Sequence, residues 1–190
     1  MGLIALSKLK PRKGRVLLSE PFLSEPYFKR SVIILTEHNE EGSIGFILNK
    51  PLDISLPSAI PDFPKFNGSL YLGGPVNKNK LFFIHTVGNK IKGSTEIING
   101  LFWGGDINLL IKLIEANKVS ASEFRLFAGY AGWGVKQLDN EFKAKSWIVA
   151  EADVEQIMDE NTNRLWGNIL KTMGKEYAMI ANFPENPSLN

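Results

Sequence analysis

Few side chains in this sequence have the chemistry of a reaction centre. His38 and His85 are the only histidines, and cysteine is absent. A zinc site takes three or four nitrogen, sulfur or oxygen ligands, and no His-x-x-His or acid-flanked histidine pair exists to supply them. Thiolate metal sites and cysteine nucleophiles are excluded outright, so no metal and no cofactor is expected. His85 ends the apolar run 81–84, where an imidazole either hydrogen-bonds structurally or faces a cleft as a base. Ser31, Thr36 and Thr86 are nucleophiles by type alone, because no G-x-S-x-G elbow or S-x-x-K pair accompanies them. The adjacent carboxylates Glu40–Glu41 and Asp159–Glu160 do not face one another and read as solvated charge.

Groups suited to binding are better represented. Asn49-Lys50-Pro51 follows an apolar run and places an amide and an ammonium at a stiffened strand exit. Gly73-Gly74-Pro75 is a second turn that exposes backbone. The third is Gly129-Tyr-Ala-Gly-Trp-Gly-Val-Lys-Gln-Leu-Asp139, three glycines interleaved with Tyr130 and Trp133 where a strand pattern gives way to a helix pattern. Its spacing is neither the G-x-G-x-x-G of a dinucleotide site nor a phosphate loop. It is read either as a structural turn or as a binding surface made by Tyr130, Trp133 and free N–H groups at the next helix start. Asn49, Lys50, Gly73, Gly74, His85, Tyr130, Trp133 and Gln137 are the expected lining of one ligand or partner cleft.

The elements that must position these residues follow from pattern. Residues 16–18, 31–36 and 43–48 read as strands, the last two joined by a hairpin link at 38–42 that carries a solvent-exposed His38. Four prolines between 50 and 64 indicate a loop crossing. Residues 69–72, 81–86 and 94–98 are further strands. Asp106 caps a helix in which Ile107, Leu110, Ile111 and Ile114 form one apolar stripe. Residues 124–128 form a strand, 135–143 a short helix and 146–150 a last strand. Helices then cover 153–158 and 162–173, with Gly174 as terminator. Strands dominate early and helices mix in late without βαβ alternation, so the class is α+β.

The chain has 190 residues, 44% hydrophobic and 22% charged, a size and composition for one globular domain. No apolar run is long enough to span a bilayer, and the first residues lack the charge order of a signal peptide. A cytoplasmic protein without membrane contact is expected. Net charge is +2, but Lys8, Lys10, Arg12, Lys13 and Arg15 crowd into the first fifteen positions with no acid among them. Residues 1–13 are therefore read as a flexible basic arm ahead of a single domain over 14–190. The arm is either a solvated tail or a contact for a phosphate backbone.

Four blocks together resemble the YqgE/AlgH family of bacterial proteins from about Gly14 onward. They are residues 31–51; Gly73-Gly-Pro-Val76 with 81–85; 129–138 with Trp147; and Leu165-Trp166 with Gly174 and the tail from Pro184 through Pro187 to Asn190. The resemblance implies a compact α+β domain: a bifurcated mixed or antiparallel sheet with a small barrel-like core, surrounded by helices. It brings a label of transcriptional regulator but no reaction and no cofactor. The functional expectation is a non-enzymatic regulatory protein acting through a small-molecule or protein partner. Two alternatives stand beside it, a nucleic-acid binder using the basic arm and a hydrolase or transferase using His85 on a small anionic substrate.

Overall fold

The computed structural model describes residues 7–56, 63–64 and 68–184. Pro57, Ile60, Pro61, the first six residues and the tail beyond Pro184 lie outside that range. The described residues form ten strands and five α-helices. The strands are β1 (Val16–Ser19), β2 (Val32–Asn39), β3 (Gly42–Ile47), β4 (Pro51–Ser55), β5 (Ser69–Leu72), β6 (Val76–His85), β7 (Thr95–Ile98), β8 (Leu101–Trp103), β9 (Phe124–Trp133) and β10 (Trp147–Ala150). The helices are α1 (Ile107–Glu115), α2 (Gln137–Lys143), α3 (Val154–Met158), α4 (Leu165–Thr172) and α5 (Lys175–Ala181). Pairing is antiparallel except for β5 on β9. The α+β class follows.

The sheet runs β10-β1-β2-β3-β9-β6-β8-β7, and β4 and β5 branch from it. The branch point is β9. One of its edges pairs with β6 along most of its length. The other pairs with β5 at residues 126–128 and with β3 at residues 131–133. Gly129 stands between the two partners at φ +72°, a conformation open to glycine and strained for other residues. The sequence pattern indicates a strand only over 124–128, where the apolar run gives way to the glycine-rich stretch. Here glycine lets the strand bend and change partners without ending.

Bifurcation is therefore present, but the sheet is not closed into a barrel. Its path ends at β10 on one side and β7 on the other. Pro51 opens a strand where a loop was expected. Proline is accommodated at the start of an edge strand, and among the described residues β4 pairs with β5 alone. The hairpin link is tighter than expected, leaving only Glu40 and Glu41 between paired Asn39 and Gly42. His38 consequently lies on β2, half-buried, with Nδ1 2.7 Å from Ser43 Oγ. The short β8 and the helix α5 were not read from sequence.

Helices cover the sheet where their apolar stripes dictate. Asp106 Oδ1 accepts from Asn108 N–H at 2.9 Å to start α1, and Leu110 and Ile114 pack into a cluster with Leu56, Phe83 and Leu126. A second cluster joins Val16, Ile34, Phe46 and Phe127 of the sheet to Leu165, Trp166, Ile169 and Leu170 of α4. Each fully buried side chain of this kind contributes about 1.5–3 kcal/mol. Their spacing leaves Asn168 and Lys171, with Arg164 at the N-cap just ahead of the helix, as an exposed polar stripe. A third cluster gathers Leu17, Ile33, Trp133, Leu138 and Trp147.

The described part of the basic arm is docked. Ser7 is buried and its Oγ accepts from Val149 N–H of β10 at 3.0 Å, and Gly14 N–H donates to Leu35 O at 2.8 Å. Among the described residues no helix is long and apolar enough to cross a membrane.

Candidate functional site

The residues singled out by sequence fall into four places. Asn49 and Lys50 form the link between β3 and β4. Asn49 Oδ1 accepts from Val32 N–H at 2.9 Å and its Nδ2 donates to Arg30 O at 2.8 Å, which ties the entry of β2 to the exit of β3. Lys50 Nζ donates to Lys29 O at 2.7 Å. The two side chains form one wall of a cleft of about 500 Å³, and the exposed stripe of α4 forms the other.

Arg30 completes the first wall. Its guanidinium lies 4.8 Å from the ring centre of Trp166 and donates to Phe183 O. The indole beneath it donates to Ser19 O at 3.0 Å, so both members of the stack are fixed from behind. Arg30, Lys50, Arg164 and Lys171 line this cleft, and among the described residues no Asp or Glu lines it with them. Four cations around one concavity attract anions strongly, since the low-dielectric walls focus the field. Arg30, Arg164 and Lys171 were missed in the sequence. The only available signal was the Arg164, Asn168, Lys171 spacing at i, i+4 and i+7, which marks one face of a helix but not what that face meets.

Gly73 and Gly74 lie at the bifurcation. Gly73 N–H donates to Ala128 O at 2.9 Å, and Gly73 O accepts from Ile47 N–H at 2.9 Å. A Cβ on Gly73 would stand 2.1 Å from Gly129 O. Both glycines admit close backbone contact within the protein, and the hydrogen-bonding groups of Gly73 are committed to it.

His85 is fully buried. Its ring stacks on Phe102 at 5.6 Å, and Nε2 lies 2.8 Å from Ser94 Oγ. Because Ser94 Oγ donates to Ile91 O at 2.7 Å, the hydroxyl accepts from Nε2–H, and Nδ1 is left buried without a partner. Burial holds the imidazole below its ordinary pKa of 6.5, a drop partly offset by the Gly104 carbonyl. Of the two alternatives for His85, the structure has the structural hydrogen bond, and the ring presents no exposed surface to a cleft.

Tyr130 and Trp133 border a separate shallow groove of about 410 Å³ that also carries Glu37 and Glu41. Its charge is opposite to that of the basic cleft. Trp133 is nearly buried, and its Nε1–H donates to Glu141. Gln137 joins the same network, accepting from Gly134 N–H and donating to Glu141 Oε1. Lys8, Lys10, Arg12 and Lys13 are exposed on the docked arm. Arg15 is half-buried, donating to Lys10 O at 2.8 Å and to Glu151 at 3.3 Å.

Arg125 is a buried cation that the sequence did not flag. It donates to the carbonyls of Leu48, Ile157 and Asp159 at 3.2, 2.9 and 2.7 Å, and its guanidinium lies 4.7 Å from the ring centre of Tyr71. Burial lowers its pKa, with Tyr71, Asp159 and Glu160 opposing. It ties β9 to the end of β3 and to the exit of α3.

Comparison with known proteins places the fold. Residues 16–178 match the family model described as AlgH-like. A UPF0301 protein of Chlorobaculum tepidum is 46% identical over 182 residues, covering 96% of each chain. A UPF0301 protein of Cytophaga hutchinsonii is 40% identical over 94% of this chain and 98% of its own. Among solved structures, a Corynebacterium diphtheriae protein superimposes with a TM-score of 0.78 at 26% identity, covering 93% of this chain and 95% of its own. The solution structure of the AlgH protein from Pseudomonas aeruginosa gives 0.72 at 24% identity, over 90% of this chain and 94% of its own. At that identity the likeness concerns the fold.

Proposed function

The chain belongs to the AlgH-like family, and on that footing we propose that it is a non-enzymatic cytoplasmic regulatory protein that captures a small anionic ligand. The ligand occupies the cleft between the β3–β4 link and α4. One observation carries this reading: Arg30, Lys50, Arg164 and Lys171 share that cleft, and among the described residues no Asp or Glu lines it. Four cationic side chains around one concavity raise the local potential and draw an anion to it. Regulation then passes through ligand occupancy and needs no base-reading element.

Titration with inorganic pyrophosphate, followed by amide chemical shifts, tests the reading. Shifts should concentrate at Lys50, Gly167 and Asn168, and the double variant Lys50→Gln/Lys171→Gln should abolish them. Shifts confined to other surfaces would overturn it.

The four exposed cations of the arm favour a second reading, in which nucleic acid contacts the arm. Affinity for a single-stranded oligonucleotide would then fall steeply with salt and drop on Lys8→Gln/Lys10→Gln/Arg12→Gln/Lys13→Gln. Equal binding by that variant would dismiss it.

A further inference from the structure

Asn99 and Gly100 form the link between β7 and β8, with Ile98 paired to Leu101 across it. Both link residues are exposed. The ends they join are fixed: Leu101 is fully buried, and Ile98 stands so close to Gly14 that a Cβ on that glycine would lie 2.4 Å from Ile98 Cγ2. The tip of this hairpin therefore faces solvent while its base is packed.

An asparagine can close a five-membered ring with the residue that follows it. The next backbone nitrogen attacks the side-chain amide carbon, and ammonia leaves. A Cβ on the following residue crowds that approach, and glycine has none. At Gly100 the space is open as well, since nothing lies within 4 Å of where a Cβ would stand. The N–H of the attacking nitrogen already donates to a carboxylate, Glu96 Oε1, at 3.2 Å. That separation is within the reach of a general base. Glu96 is itself exposed, on β7.

We propose that Asn99 is a self-modification site, deamidated with Glu96 as the base. The bond from Gly100 N to Asn99 Cγ forms as the amide proton passes to Glu96. The Asn99 Cγ–Nδ2 bond then breaks, and the departing amine takes the proton back from Glu96 and leaves as ammonia. Glu96 is a carboxylate again, and a cyclic imide remains. Water opens the imide at one carbonyl or the other, leaving an aspartyl or an isoaspartyl residue at position 99. Either product adds a negative charge at the hairpin tip. The isoaspartyl product also lengthens by one backbone atom a link whose two ends are paired.

The test is incubation of the full folded chain at neutral pH, with peptide mass spectrometry following position 99. Wild type should lose the Asn99 amide, and hydroxylamine should trap the imide as chain cleavage between positions 99 and 100. Glu96→Gln keeps an oxygen to accept from Gly100 N–H but supplies no base, and it should slow the loss at least about threefold. In concentrated urea, where the hairpin is undone, the two chains should react at one rate.

An Asn99 left intact in the native chain, over the time in which the urea-unfolded chain loses it, would overturn the site. Equal native rates for wild type and Glu96→Gln would overturn it too, as would a slowing by Glu96→Gln that persists unchanged in urea.

Discussion

Trp133 and Trp147 donate their indole N–H groups to the same carboxylate oxygen, Glu141 Oε2, at 2.9 and 2.7 Å. The rings meet edge to face with centroids 5.9 Å apart, and Phe28 packs against both. One carboxylate on α2 thus satisfies two nearly buried donors from β9 and β10. Glu141→Ala leaves both unpaired and should cost about 1–3 kcal/mol, read from urea unfolding. Trp133→Phe, which removes a donor and keeps most of the ring, should cost less and leave pyrophosphate binding unchanged. An unaltered unfolding midpoint in Glu141→Ala would refute the clamp.

Gly129→Ala should destabilise more than most surface substitutions. The added Cβ would lie 2.7 Å from both Gly74 O and Val76 O, at a φ of +72°. Strain of that kind costs about 1–3 kcal/mol, and the contacts add to it. A thermal midpoint equal to wild type would show that the junction can relax.

His85 should make stability depend on pH in one direction. Its folded pKa lies below the unfolded value, so above about pH 6.5 both states are neutral and its contribution is complete. As pH falls through that value, the unfolded chain takes up a proton that the folded chain resists. Stability then declines toward the folded pKa, no faster than about 1.4 kcal/mol per pH unit from this group. His85→Gln should flatten that part of the curve. Parallel curves for variant and wild type between pH 6.5 and 4.5 would contradict the assignment.

Arg125→Met should cost roughly 2–4 kcal/mol, because three carbonyls lose a charged donor in a buried setting. Arg125→Lys should recover only part, since an ammonium lacks the planar fork. Hydrogen exchange should accelerate first around α3, where Ile157 and Asp159 are held.

What could be read in the sequence was whatever a short window decides. Alternation around 31–36 and 43–48 gave the hairpin, and the stripe from Ile107 to Ile114 with Asp106 before it gave α1. The path of β9 beyond Ala128 was hidden, because glycine as a strand-ender and glycine as a bend look alike without the partner strands. Asn49 and Lys50 were found because they adjoin. Arg30, Arg164 and Lys171 were not, because only packing of α4 over the sheet brings them to the same cleft. Tyr130, Trp133 and His85 were conspicuous for their chemistry, yet the hydrogen bonds that employ Trp133 and His85 are internal.

The position of β9 also orders events during synthesis. Every strand it pairs with, β3, β5 and β6, precedes it in the chain. Until residues 124–133 have left the ribosome, the early β1–β3 meander and the β6-β8-β7 group have no strand in common, and β5 lacks its parallel partner. The nascent chain then carries two incomplete half-sheets with open edges, the kind of surface on which aggregation begins. Joining is late and occurs through a single segment. A pause taken before residues 124–133 have emerged would lengthen the exposure of those edges, and one taken after they have emerged would not.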